Sequence, residues 1–173
     1  NKRAMALQSK DVDVIQKVDS ANRSLFKDSF NIQDVAGVRV FMLKANNTEA
    51  SPLHDKAVRS AIAHIINYDS MAKIIGNGST PGAAPFPPSA NLGYDAIANK
   101  ATTDVAKADQ ILTQAGYAKN ANGVYAKDGK ELAITIAIWG KDTSLYEEIQ
   151  QELKQAGINV TLKKLQSPDE VDT

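Results

Sequence analysis

The chain has no cysteine among its 173 residues, which excludes disulfides, thiolate metal sites and cysteine nucleophiles. It has two histidines, and His54 and His64 stand too far apart for the i, i+4 pairing of a helix-borne metal site. His54 precedes a helix cap, and His64 falls off the centre of an apolar stripe and reads as solvent-exposed. There is no excess of either charge, since 20 basic residues balance 20 acidic ones. No global field therefore points to nucleic acid or an anionic membrane, and the basic residues lack the aromatic interleaving of a nucleic-acid surface. No stretch reads as a membrane span or a signal peptide. No G-x-S-x-G elbow is present, and the many Ser and Asp residues have no partnered base. The loop Gly76–Gly82 follows a helix, not a strand, so no helix N-terminus would face a phosphate there. Glu147, Glu148 and Glu152 share one helix and read as a solvated face. These absences predict a protein that is not an enzyme, with no metal site and no cofactor.

What is present is an ordinary globular composition, 43% hydrophobic and 23% charged, in one domain's worth of chain, 1–173. The prolines are concentrated, with five of six between Pro52 and Pro88. Before that ribbon, Val58, Ala61, Ile62, Ile65 and Ile66 form one apolar helical stripe behind Asp55, a good N-cap. Asp69 is expected to cap a second short helix that Gly76 and Gly78 end. Arg59, facing away from the stripe, is placed to bond ribbon carbonyls. The ribbon, 76–95, is expected to be ordered, pinned by Phe86, Leu92 and Tyr94.

Strands are expected around Val12–Ile15 and at Val38–Leu43, the second so apolar that both faces should be buried. Asp104 is expected to cap a helix with Ala108, Ile111, Leu112 and Ala115 inward, closed by Gly116. Val124–Ala126 and Leu132–Ile138 flank an Asp128-Gly129 hairpin turn. Leu132–Ile138 should be a central strand. Ser144 and Glu147 suggest a capping box for a helix carrying Leu145, Ile149, Leu153 and Ala156, ended by Gly157. Ile158–Leu162 alternates as a strand with one wet face. Strand, helix and strand make a βαβ unit near the C-terminus, so the two strands should be parallel. The fold class is mixed α/β, a sheet flanked by helices.

In open α/β sheets, ligands lie beyond the carboxyl ends of strands. That rule singles out Gln16 and Asp19, Asn47, and Trp139 as ligand-cleft candidates. Trp139 either walls a cleft or packs under the following helix, and pattern alone favours packing. Asn47 reads more readily as the organiser of its own turn than as a ligand contact.

Several segments resemble one family. PLHDKAVRSAIAHIIN at Pro52–Asn67, a second helix ending in Gly, and the Pro-rich ribbon look like the larger-lobe signature of bacterial solute-binding proteins. The class is the oligopeptide-, dipeptide- and nickel-binding components of ABC importers. ALQSKDVDVI at Ala6–Ile15 is similar to the family's ALQSGEIDVI, with Lys10 where the family has Gly. FMLKANNT at Phe41–Thr48 is similar to its strand and Asn-containing turn. DVAKADQILTQAGY at Asp104–Tyr117 looks like its D-P-x-K-A-x-x-L-L-x-x-AGY, with Val105 in place of Pro. SANLG at Ser89–Gly93 leans towards the nickel and dipeptide branches.

The resemblance implies a periplasmic-binding-protein-like fold of two lobes that closes on its ligand by hinge motion. It implies an extracytoplasmic protein, periplasmic or a cell-surface lipoprotein, that captures a peptide or chelated nickel and delivers it to an ABC permease. The chain starts at Asn1 without Met and ends in a ragged polar tail, 166–173. This is expected of a truncated lobe, with the second lobe, any membrane anchor and much of the pocket elsewhere. Two other readings stand beside it. One is a non-catalytic protein-interaction domain docking through the ribbon; the other is an accessory domain of an α/β enzyme.

Overall fold

This computed structural model describes residues 2–18, 20–35, 37–76, 78–82, 84–88, 102–140, 143–167 and 170. Two hydrophobic clusters organise it. The smaller is N-terminal: Ala4 and Leu7 of helix α1 (Lys2–Gln8) meet Phe26, with Ile15, Val18, Phe30 and Ile32 around them. Phe26 and Phe30 pack edge to face with centroids 5.7 Å apart, the arrangement that ring quadrupoles prefer. A 3-10 helix, Ser20–Leu25, leads into Phe26. Arg23 grips both oxygens of Asp34 at 2.6 and 2.7 Å, and this hydrogen bond holds the Asp34 carboxyl below its ordinary range.

The larger cluster joins α2 (Lys56–Ile65), α3 (Tyr68–Ile75), α4 (Val105–Gln114), α5 (Ser144–Ala156) and a pair of sheets. Val58 and Ala61 of α2, Leu112 of α4, Leu153 of α5 and Ile158 are fully buried. The expected stripes thus face one core.

Strands β4 (Ala133–Ile138) and β5 (Asn159–Lys164) flank α5 and pair parallel, Ile134 opposite Val160 and Ile136 opposite Leu162. The βαβ unit therefore forms as its sequence implies. The hairpin also forms: β2 (Tyr125–Lys127) pairs antiparallel with β3 (Lys130–Glu131), and β1 (Ala118–Lys119) joins on the other edge of β2. Asp128 and Gly129 both take positive φ, 52° and 75°, as a type I′ turn requires.

Some expectations are corrected. Among the described residues β4 is not central, because β5 is its only sheet neighbour. Its core face carries Ile134 and Ile138, while Ala133, Thr135, Ala137 and Trp139 face solvent. Neither Val12–Ile15 nor Val38–Leu43 pairs as a strand, and Val38–Leu43 is largely exposed instead of buried. The cap of α3 is Asn67, whose side chain accepts from Ser70 N–H at 3.0 Å. Asn67 lies one residue before the helix and reaches the orphan amide that Asp69, inside the first turn, cannot. The cap of α5 is Thr143, whose carbonyl takes the Tyr146 and Glu147 amides. Glu147 accepts from Thr143 Oγ1 at 2.6 Å, so Ser144 and Glu147 do not make the expected box. Asp55 and Asp104 cap as expected, accepting from Ala57 and Lys107 amides.

Arg59 donates to the carbonyls of Leu53 and His54 at 2.6 and 2.8 Å. These belong to the short 3-10 turn Pro52–His54 before α2, so Arg59 braces the helix entry, and among the described residues it bonds no ribbon carbonyl. Of the ribbon's anchors, Phe86 is half-buried, and Leu92 and Tyr94 lie outside the described residues. The segment downstream of the ribbon is clamped to α2. Asp104 N–H donates to the His64 carbonyl at 2.7 Å, and Thr103 Oγ1 to the Ile66 carbonyl at 2.8 Å. His64 Nδ1 donates in turn to the Thr102 carbonyl at 2.8 Å. His64 is therefore half-buried and structural, not simply exposed.

Glu152 is also more enclosed than a solvated helix face suggests. It reaches across to α3 and accepts from the Asn67 N–H at 3.0 Å. Burial raises its pKa above the ordinary 4.5, outweighing the opposite pull of that hydrogen bond. The folded protein thus holds this proton more tightly than the unfolded chain does. Its contribution to stability is present below pH 4.5 and is lost as pH rises through the raised value. Glu152→Gln keeps an acceptor for Asn67 and removes the charge. The variant is expected to lose less stability than the parent between pH 4 and pH 7, read as urea midpoints at both values. An unchanged pH slope would show that Glu152 titrates as a solvated carboxylate.

Candidate functional site

The carboxyl end of β4 is where the topology would present a ligand. Ile138 is buried, and the next residue, Trp139, is 57% exposed. Gly140 then turns the chain with φ 115°. Within the described residues the indole is therefore not buried under α5, and an exposed aromatic side chain stands at a strand end.

The other candidates are dispersed. Gln16 is exposed, and its carbonyl accepts from Arg3 Nη1 at 2.9 Å. That bond ties the end of the Val12–Ile15 run back to α1. Asp19 lies outside the described residues. Asn47 is exposed and its carbonyl accepts from His54 Nδ1 at 2.9 Å. The turn is organised by its neighbour, since Asn46 Oδ1 accepts from Thr48 N–H at 3.1 Å. Among the described residues, no hydrogen bond, ion pair or ring contact joins any two of Gln16, Asn47 and Trp139.

Polar networks elsewhere are structural. Tyr125 donates to Asp109, and Lys119 lies 4.9 Å from the Tyr125 ring centre. Burial first, then the Asp109 carboxylate, push the Tyr125 phenol well above its usual range, so it stays a neutral donor that ties the hairpin to α4. Lys127 sits 5.2 Å from the Tyr117 ring centre and 3.9 Å from Asp55, linking the same hairpin to the α2 cap. An open depression of about 440 Å³ is lined by Asp69, Ala72, Lys73, Gly76, Gly78, Ser79 and Pro81. Gln16, Asn47 and Trp139 are not among the described residues that line it. Among the described residues no group of three or more His, Asp or Glu is placed to hold a metal, and no helix is long and apolar enough to cross a membrane.

One backbone detail bears on ancestry. Lys10, standing where the resembled family has Gly, takes φ 64°, the left-handed conformation that Gly enters without steric cost. The family model "Bacterial extracellular solute-binding proteins, family 5 Middle" matches residues 1–173. The chain belongs to this family.

Among the family's curated members, the nickel-binding periplasmic protein of Escherichia coli K12 is 29% identical over 92% of this chain and 32% of its own length. NikA from Brucella suis in complex with Fe(III)-EDTA is 31% identical, with TM-score 0.60 over 72% of this chain and 26% of that one. Lactococcal OppA, complexed with an endogenous peptide in the closed conformation, is 25% identical with TM-score 0.70. It covers 99% of this chain, which spans 36% of it. The family 5 chain thus spans about a third or less of the length of these relatives, and the mixed α/β fold expected from sequence is the fold it shares with them.

Proposed function

We propose that this family 5 chain is part of the ligand-binding lobe of a non-catalytic, extracytoplasmic solute-binding protein. That protein captures a peptide or a chelated nickel ion and passes it to an ABC permease. The observation that carries the reading is the family match along all of residues 1–173; the exposed Trp139 at the end of β4 supplies a surface for the ligand. Gln16, Asp19 and Asn47 are the remaining proposed contributors, and the rest of the pocket belongs to the longer polypeptide. A single lobe offers an open surface, whereas good pockets bury about 70–90% of a small ligand.

The test is calorimetry of the full-length protein with di- to penta-peptides, and with Ni²⁺ in the presence and absence of L-histidine. One ligand class is expected to bind at micromolar Kd or tighter. Trp139→Ala is expected to weaken that binding about tenfold or more, as removal of an aromatic anchor does. Thermal midpoints should differ little, because the side chain is exposed. Tight binding that is indifferent to Trp139→Ala would remove this residue from the site; no binding of either class would overturn the reading.

A further inference from the structure

After α1 the chain passes through 15–18 without helix or strand. Ile15 and Val18 are half-buried against the Ala4, Leu7 and Phe26 cluster, and Gln16 and Lys17 between them are exposed. Two apolar anchors fix the ends of this stretch but not the direction of the side chains between them. Among the described residues no backbone–backbone hydrogen bond involves 15–18. The bonds that hold it come from Arg3 of α1. Its Nη1 donates to the Gln16 carbonyl at 2.9 Å and its Nη2 to the Lys17 carbonyl at 3.2 Å. A guanidinium suits this task, because its donors stand in a rigid fork and each bond is charge-assisted. Lys17 takes φ 55°, a left-handed conformation that a residue with a Cβ enters at a cost. Such a residue persists where its surroundings over-determine it, and strain of this kind gathers at ligand sites.

We propose that Arg3 is a positioning residue of the ligand site. By clasping the two carbonyls it keeps Lys17 left-handed and fixes the direction in which Gln16 leaves the backbone. The Gln16 side-chain amide, which makes no hydrogen bond among the described residues, is then held ready for a polar group of the ligand. An amide fixed beforehand loses less freedom when the ligand arrives. Both Nη donors of Arg3 are committed to carbonyls, so Arg3 acts through Gln16 and not by its own contact. The proposal rests on the reading of Gln16 as a ligand contact.

The experiment is a double-mutant cycle on the full-length protein. Its readout is the Kd by calorimetry for di- to penta-peptides or for Ni²⁺ with L-histidine, whichever class binds. Gln16→Ala and Arg3→Ala are each expected to weaken binding about tenfold. Thermal midpoints should stay close to the parent's, because both side chains are exposed. Arg3→Ala added to Gln16→Ala is expected to weaken binding no further. Arg3→Lys, one ammonium in place of a two-pronged fork, should fall between the parent and Arg3→Ala. In the ligand-free protein, Arg3→Ala should shift the amide resonances of 16–18 and leave those of the turn 46–49 in place.

Unchanged affinity in Arg3→Ala, beside a loss in Gln16→Ala, would overturn the proposal and leave the functional reading standing. Losses that multiply in the double variant would make Arg3 an independent contact and would also overturn it. Gln16→Ala without effect would remove Gln16 from the site, and the proposal with it. A parent protein that binds neither class would overturn the functional reading itself.

Discussion

Gly157→Ala is expected to be among the most damaging single-atom additions this chain can receive. Gly157 ends α5 in a left-handed conformation, φ 103°, where any Cβ is strained. A methyl there would also stand 2.6 Å from the Gly123 carbonyl oxygen, 3.2 Å from Lys119 Cε and 3.4 Å from Tyr125 Cδ2. The lysine can swing away, but the Gly123 oxygen is backbone and cannot. The Gly157 carbonyl meanwhile accepts from the Tyr125 N–H at 2.9 Å, so any displacement of Gly157 pulls on the hairpin. Strain and overpacking together should cost on the order of 2–5 kcal/mol. Gly129→Ala serves as a control, because its φ of 75° is also positive but no atom lies within 4 Å of the added carbon. In urea denaturation Gly157→Ala should lose clearly more than Gly129→Ala. Equal losses would show that conformation alone, and not the clash, sets the cost.

Leu153→Ala should be comparably severe by a different route. Leu153 is fully buried on the inner face of α5, within the cluster that gathers α2, α4 and both strands of the parallel pair. Truncation leaves a cavity walled by several elements that cannot all relax, so about 2–5 kcal/mol is expected. For a domain whose total stability is about 5–15 kcal/mol, that is a large fraction. Lys154→Ala, one position along and exposed, should stay within about 0.5 kcal/mol of the parent. A Leu153→Ala midpoint close to that of Lys154→Ala would mean that α5 is not anchored through this side chain.

Elements whose signals are local are legible in the amino-acid sequence. The Asp128-Gly129 turn needs only its own two φ angles, and the stripes of α2, α4 and α5 need only helical spacing. The parallel pairing of β4 with β5 follows from a short strand–helix–strand connection. Caps are legible to within a residue or two: Asn67 and Thr143 stand just outside their helices, and Asp69 and Ser144, which have the right chemistry for caps, fall inside the first turn. What sequence does not show depends on distant neighbours. Glu152 reads as solvated because its own helix face is polar, and its enclosure comes from α3. Pattern leans Trp139 towards the core because strand alternation does not say whether the outer face of β4 is covered. Among the described residues Val38–Leu43 has a strand's pattern without a strand's partners, and pattern alone does not reveal that difference.

The clamp at Thr102–Asp104 also bears on how this stretch tolerates change. The chain leaves α3 at Gly76 and returns to the end of α2 through bonds made by His64, Ile66, Thr103 and Asp104. α2 and α3 are nearly continuous, so departure and return are held by one helical pair, whatever the number of residues between them. Because α2 carries the acceptors for that return, the place where α4 begins is set by Thr102–Asp104. A length change upstream that spares these three residues is therefore expected to leave the clamp on α2 intact.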